Sequence, residues 1–329
     1  MLSLLSVIPQ STDATAFYRS TGPLSHMRKD YKNINIVFAN HIDWSVIKLC
    51  DAVFMQRPFR PQDLTVATIT KENNRPLWVD YDDDLFSVPS DNPTHIMYGS
   101  PDIQKNVANI IALADVVTVS TPALKKKYDP LNKNIIVVPN GIDDDLLKGH
   151  ELFRGDRRAS IMWRGSQTHE RDLMSVSGEL LKIATERPNL QWEFVGYNPW
   201  FITDLIKGCR IEPGKDIPGY FRHIYQQRPG YFICPLFPNI FNKSKSNIAW
   251  IEATYAGAPC LAPSWEEWVR PGCLNYNGPT EFREKLIAMV GGDIDCDKQV
   301  QESWDYIREN LTMKKTNEIR KKIIEEFIL

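Results

Sequence analysis

Residues 231–262 run from an apolar stretch, Tyr231-Phe-Ile-Cys-Pro235, through a polar loop, Asn239-Ile-Phe-Asn-Lys-Ser-Lys-Ser-Asn247, into the helix-forming Ile248-Ala-Trp-Ile-Glu-Ala-Thr-Tyr-Ala-Gly257 and a second apolar stretch, Pro259-Cys-Leu-Ala262. Two short apolar runs joined by a loop and a helix read as a β–α–β unit. Parallel strands covered on both faces need no polar alternation, and their connection needs a crossover of this length. The same alternation extends both ways: Ser160–Trp163 and Leu190–Val195 read as further strands, with helices near 171–187, 198–207, 219–227, 247–257 and 279–290. Ser303–Leu329 reads as helix throughout. An earlier array has strands at Leu2–Ile8, Ile34–Ala39, Ala52–Gln56, Leu77–Tyr81, Val116–Ser120 and Ile135–Pro139, with helices near 18–29, 43–50, 61–71, 102–114 and 122–128. Pro139-Asn-Gly141 stops its last strand, and the charged, apolar-poor stretch Asp143–Arg158 reads as a linker. The predicted fold class is α/β, with two doubly wound Rossmann-like domains facing a cleft.

Composition narrows the function classes. The 329 residues are 43% hydrophobic and 24% charged, which excludes disorder, collagen and a small disulfide scaffold. Lys and Arg number 39 against 41 Asp and Glu, a net charge of -2, so no global electrostatic footprint for nucleic acid or membrane is present. Cys50, Cys209, Cys234, Cys260, Cys273 and Cys296 form no CxxC and read as reduced thiols of a cytoplasmic protein. Met1–Pro9 reads as a strand and not a signal peptide, and no apolar run approaches the about 18 residues of a membrane span.

Ligands of doubly wound sheets bind beyond the carboxyl ends of the strands, so four loops stand out. In 239–247, small polar residues at a helix N-terminus offer free N–H groups to an anion, and Lys243 and Lys245 add charge suited to a diphosphate. Glu252 lies about two turns into that helix, within reach of a diol beyond the phosphates; the competing reading is an ordinary cap at Ser246 or Asn247. The loop Arg164-Gly-Ser-Gln-Thr-His169 combines a guanidinium for phosphate oxygens, Gly165 and Ser166 for close backbone approach, and His169 as a hydrogen-bond donor. Its competing reading is a turn capped by Thr168. Asp80-Tyr-Asp-Asp-Asp84 concentrates carboxylates that repel one another. A DxD metal site, a haloacid-dehalogenase-like phosphatase using Asp80 and Asp82, or an acceptor-binding surface would each account for it. The phosphatase pattern fails at Asp84, where a small residue followed by Thr is wanted. The fourth loop, Ser11–Ser20, offers Asp13, Tyr18 and Arg19 as ligand contacts, with packing under the helix as the competing reading of Tyr18; His95 beyond the acidic cluster could serve as a base, against the reading of a surface histidine.

Taken together, the two Rossmann-like arrays, Val138-Pro-Asn-Gly-Ile-Asp143 and Trp250-Ile-Glu-Ala-Thr-Tyr-Ala-Gly-Ala-Pro259 resemble the GT-B glycosyltransferases, most closely the retaining group 1 family that includes sucrose synthase. The resemblance covers the whole chain and implies an N-terminal acceptor domain (1–150), a C-terminal nucleotide-sugar domain (151–302) and a terminal helix (303–329) packing back on the first. It implies that Glu252 is the second Glu of the family's E-x7-E motif, binding ribose, and that Arg164 contacts the donor diphosphate. The family's Lys five residues later is His169 here, and the first motif Glu is replaced by Ser244. Ser244, Ser246 and Asn247 complete the implied donor loop. The catalytic set is then Arg164, Lys245 and Asp82, with Asp13, Tyr18, Arg19, Asp80, Asp83 and His95 on the acceptor. The implied activity is metal-independent, retaining transfer from a nucleoside-diphosphate sugar, with UDP favoured and no cofactor. Chains that resemble Asp80–Pro89 are frequent in bacteriophage genomes, which brings hydroxymethylated pyrimidine in DNA into the acceptor list beside a cell-surface glycan or a small molecule. The other class of function is a non-catalytic nucleotide-sugar binder.

Overall fold

The apolar runs of the first array form a six-stranded, all-parallel sheet: β1 (Leu2–Val7), β2 (Ile34–Ala39), β3 (Ala52–Gln56), β4 (Leu77–Tyr81), β5 (Val116–Val119) and β6 (Ile135–Val137), in the order β2-β1-β3-β4-β5-β6. Every residue of β3 and β4 is buried, as their unbroken apolar character requires of central parallel strands. A second six-stranded parallel sheet holds β7 (Ser160–Arg164), β8 (Gln191–Gly196), β9 (Arg210–Pro213), β10 (Tyr231–Ile233), β11 (Cys260–Pro263) and β12 (Leu274–Tyr276), in the order β12-β11-β10-β7-β8-β9. These elements come from a computed structural model that describes residues 1–8, 14–40, 44–153 and 155–329. Both sheets carry helices in their crossovers, so the α/β doubly wound reading holds.

The chain divides into two units. One comprises Met1–Lys148, Ser244–Ser246 and Asn310–Leu329; the other comprises Gly149–Lys243 and Asn247–Glu309. In the first, Leu4, Phe54, Trp78 and Val116 of the sheet pack with Leu24, Met27, Ile323 and Ile324. Each buried aliphatic side chain of this kind contributes about 1.5–3 kcal/mol. In the second, Trp163, Trp192, Phe194 and Ile233 pack with Leu180, Ile183, Phe282 and Leu286.

Three differences from the sequence reading have physical causes. β9 and β12 were not foreseen: β9 is largely exposed at the sheet edge with one aliphatic residue, Ile211, and β12 is three residues long. The terminal helix is two helices, Cys296–Asn310 and Met313–Phe327. Between them Ile142 donates its N–H to the Leu311 carbonyl (2.8 Å) and accepts from Met313 N (2.8 Å), while Thr312 Oγ1 accepts from Lys315 N (3.2 Å). Gly141 is demanded by this contact, because a Cβ there would lie 2.8 Å from the Thr312 carbonyl. The second of these helices packs on helix Gly22–Asp30 within the first unit, where Asn317 Nδ2 donates to the Pro23 carbonyl (2.8 Å). Thirdly, the stretch 43–50 holds a 3-10 helix, Trp44–Leu49, with mostly exposed residues. Among the described residues no helix is long and apolar enough to cross a membrane.

Candidate functional site

In the second sheet the chain leaves β7 toward β8 and β9, then returns to β10 on the other side of β7. The order reverses between β7 and β10, and the carboxyl ends of those two strands mark the place where such sheets bind ligands. Arg164 ends β7, and the loop 237–247 follows β10. Helix Ile248–Tyr255 begins beyond that loop and is buried from Ala249 onward, so Glu252 is held at 3% exposure.

Arg164 and Glu252, 88 residues apart in sequence, meet: Arg164 Nε donates to Glu252 Oε2 at 2.6 Å. Tyr220, from helix Ile217–Gln227, donates its hydroxyl to the same oxygen at 3.0 Å. Burial, then the Glu252 charge, pushes the Tyr220 phenol well above its ordinary range, so it stays a donor. A guanidinium and a carboxylate with complementary hydrogen-bonding thus stand where a phosphate and a ribose diol could each take one of them.

The neighbouring loop is built on close approach. The carbonyl of Gly165 lies 2.5 Å from where a Cβ of Gly196, at φ +96°, would stand, so the end of β8 can pass only as glycine. His169 Nδ1 is 2.8 Å from Asp172 Oδ2, and Asp172 Oδ1 accepts from Phe237 N (2.8 Å) and Asn242 Nδ2 (2.6 Å). The hydroxyls of Ser166 and Thr168 lie 2.7 Å apart, and His169, which precedes the helix starting at Glu170, does not cap it through its side chain. Asn247 precedes helix Ile248–Tyr255 without capping it through its side chain, whose Nδ2 donates instead to the Glu267 carbonyl (3.2 Å). The simple capping reading of Asn247 therefore fails. Lys243 is exposed at the end of helix Ile240–Lys243. Cys234, after β10, has its thiol pushed up to about 12, chiefly by burial.

In the first unit each carboxylate of the acidic cluster has a cation from the chain beside it. Asp80, 1% exposed, accepts from Arg19 Nε (2.9 Å) and Nη2 (2.7 Å) and from Thr118 Oγ1 (2.6 Å). Asp82 accepts from Arg57 Nε (2.7 Å), Asp83 lies 3.4 Å from Arg57 Nη2 and 3.5 Å from Lys245 Nζ, and Asp84 lies 3.8 Å from Lys127 Nζ. Burial disfavours the Asp82 carboxylate, but Arg57 more than offsets that and holds its pKa below the ordinary value. These placements sort the expected acceptor residues. Arg19 and Tyr18 are each 1% exposed, and Arg19 also donates to the Val138 carbonyl (2.6 Å) and Asn140 Oδ1 (3.0 Å). Arg19, Asp80 and Tyr18 are thus packed into the interior of the unit, and the phosphatase reading has no exposed nucleophile at Asp80. His95 is partly exposed with Nδ1 2.9 Å from the Val88 carbonyl. Asp13 lies outside the described residues. In the segment 244–246, the Ser244 carbonyl accepts from Thr121 Oγ1 (3.0 Å) and Ser246 Oγ from Asn140 Nδ2 (2.8 Å).

Sequence reasoning passed over Tyr220, Asp172 and Arg57. Arg57 stands one residue beyond β3 with φ +46°, a conformation rare outside glycine, and the strand-end rule applied to β3 finds it. Asp172, three residues after His169, is visible as a helical neighbour. Tyr220 has no local signal, since it lies on an amphipathic helix and reads as core. A separate group, His26, Asp143 and Asp145, has ligand atoms within 4.8 Å of one another, but Asp145 already takes Lys29 (3.0 Å) and Lys148 (2.6 Å). That group is an ion-pair network.

No family model and no curated protein matches the sequence. Solved structures do match in fold. HepE of Anabaena, in complex with UDP-glucose, has a TM-score of 0.68 at 12% identity, over 99% of this chain and 100% of that one. A glycosyltransferase from Rickettsia africae has a TM-score of 0.66 at 13% identity, over 99% and 98%. An α-glucosyltransferase in complex with UDP has a TM-score of 0.65 at 10% identity, over 99% of each chain. TarM matches over 85% of this chain at a TM-score of 0.63 and 10% identity, and the chain spans 58% of TarM's length. The two parallel-sheet units have the GT-B fold of these glycosyltransferases.

Proposed function

We propose that the protein is a glycosyltransferase that moves a sugar from a UDP-linked donor to an acceptor hydroxyl. The observation that supports this most is the Arg164–Glu252 pair at the reversal point between β7 and β10, in a fold whose solved neighbours include complexes with UDP and UDP-glucose. On this reading donor binding exchanges partners: ribose hydroxyls take Glu252, and the diphosphate takes Arg164. Tyr220 keeps the carboxylate in place while Arg164 turns to phosphate.

The bond from the anomeric carbon to the diphosphate oxygen breaks, and the acceptor oxygen bonds to that carbon on the same face, giving retention. The acceptor proton passes to the departing diphosphate. Arg164, His169, Lys243, Lys245 and the backbone amides of residues 246–249 are proposed to offset the developing charge, which makes the transfer independent of metal. Gly165, Ser166, Ser244, Ser246 and Asn247 complete the donor loops. Asp82 is proposed to orient the acceptor, with Asp83 and His95 alongside. For the acceptor we propose the hydroxymethyl group of a modified pyrimidine in DNA, on the resemblance of Asp80–Pro89 described above.

The experiment is release of UDP from UDP-glucose in the presence of EDTA, with hydroxymethylated DNA, unmodified DNA, a surface glycan and no acceptor compared. Acceleration by hydroxymethylated DNA alone, lost in Arg164→Ala, supports the whole reading. Acceleration by the glycan alone replaces the acceptor. Binding of UDP-glucose without release under any condition overturns catalysis in favour of nucleotide-sugar binding.

A further inference from the structure

The Asp172 carboxylate joins two loops. It is 3% exposed; Oδ1 accepts from Phe237 N and Asn242 Nδ2 in the loop after β10, and Oδ2 faces His169 Nδ1 in the loop after β7. A carboxylate only accepts, so Nδ1 of His169 carries a hydrogen. A neutral imidazole has a single N–H, which leaves Nε2 a lone pair that repels a phosphate oxygen. Nε2 donates only when the ring is an imidazolium. The Cδ2 edge of the ring, next to Nε2, stands 3.2 Å from the position of a Cβ on Gly165, and so borders the turn that follows Arg164.

We infer that His169, fixed in this tautomer by Asp172, engages the donor diphosphate only as an imidazolium, so that one proton controls donor affinity and Asp172 is its positioning residue. The inference rests on the donor-site reading above. Imidazole is the side chain that changes charge in the neutral range, whereas a lysine at the same place keeps its charge there. Most other charged groups on the surrounding elements have partners. Arg164 pairs with Glu252, Glu170 accepts the Tyr197 hydroxyl, and Arg171 stacks 3.9 Å over the Phe237 ring. Lys243 is exposed at the end of its helix, and the raised thiol of Cys234 stays neutral. His223, paired with Glu193 at 2.6 Å, is the one further imidazole on these elements, and variants at 169 leave it in place as an internal control.

The test is calorimetric binding of UDP-glucose, whose doubly esterified diphosphate keeps its charge, at about pH 5.5, 7.0 and 8.5. The wild type is expected to weaken about tenfold from the lowest to the highest pH, the size of one charge-assisted hydrogen bond. His169→Gln should bind with a flat profile at the weaker level, and His169→Lys with a flat profile at the stronger level. Asp172→Asn gives the sharpest outcome. Its carbonyl can still accept from Phe237 N and Asn242, while its N–H donates to His169 Nδ1 and moves the ring hydrogen to Nε2. Neutral imidazole then donates, and the pH slope disappears without loss of the ring. If Asp172→Asn does not fold, the Gln and Lys variants at 169 decide alone. A flat wild-type profile, or a wild-type slope surviving in His169→Gln, overturns this inference and leaves the donor site standing. No binding by the wild type at any pH overturns the donor-site reading and this inference with it.

Discussion

Asp80→Ala tests whether Arg19 and Asp80 are structural or belong to the acceptor surface. The side chains are 1% and 2% exposed, and the carboxylate takes two guanidinium nitrogens and the Thr118 hydroxyl, which itself accepts from Trp78 Nε1 at 2.9 Å. A second guanidinium, Arg320, is also 1% exposed; it donates to Thr316 Oγ1 (3.1 Å) and Asn317 Oδ1 (3.3 Å), and its Nη2 has no partner among the described residues. Burial, followed by repulsion from Arg19, depresses Arg320 to about 9. Asp80 is therefore the carboxylate that both buried cations sense, and its removal leaves charge uncompensated in the interior. Breaking a buried pair from one side costs about 3–5 kcal/mol. For a unit of this size each kcal/mol moves the midpoint about 2–4 °C, so calorimetric melting should fall by about 10 °C or more. Replacing both partners, Arg19→Met with Asp80→Leu, should recover most of the loss, because an apolar pair leaves no orphaned charge. UDP affinity should be unchanged at a temperature where the variant is folded. A midpoint within about 2 °C of wild type would refute the reasoning.

Two further predictions concern pH. The Asp82 pKa lies below its ordinary 3.8, so this group adds stability above that value and loses it as pH falls through the folded pKa. Arg57→Met should flatten the urea midpoint between about pH 5 and 2, and an unaltered acid limb would count against the pair. Glu267 behaves oppositely: burial, against the pull of Arg270, raises it to about 7 from an ordinary 4.5. Its contribution is full below 4.5 and lost as pH rises toward 7, so Glu267→Gln should stabilise by about 1–3 kcal/mol at pH 8 and be neutral at pH 4, read from urea titrations at both.

What could be read from the sequence followed burial. Ala52–Gln56 and Leu77–Tyr81 were legible to the residue because central parallel strands are apolar on both faces. Arg210–Pro213 was not, because an edge strand facing solvent has little apolar character to display. The break at Leu311–Thr312 is imposed by Ile142 and Gly141, about 170 residues earlier, against a local preference for helix. In the candidate site, Arg164 stands out because it ends a strand, and Glu252 because its helix follows the next strand's loop; the structure pairs the two across 88 residues of sequence. Tyr220 was not legible, since its role depends on one hydroxyl reaching an oxygen 32 residues away. The acidic cluster misled in part: Asp80 looked like surface chemistry, yet the cation that meets it, Arg19, is 61 residues distant.

The most direct test of the account is UDP binding to the wild type and to Glu252→Ala without added metal, followed by calorimetry and by thermal shift. At about 100 times its dissociation constant, UDP should add about 2.7 kcal/mol to the wild type and produce a clear rise in melting temperature. Glu252→Ala should lose that rise while retaining a folded melting transition. No stabilisation of the wild type by UDP, or equal stabilisation of both proteins, would contradict the assignment of Arg164 and Glu252 as the donor site.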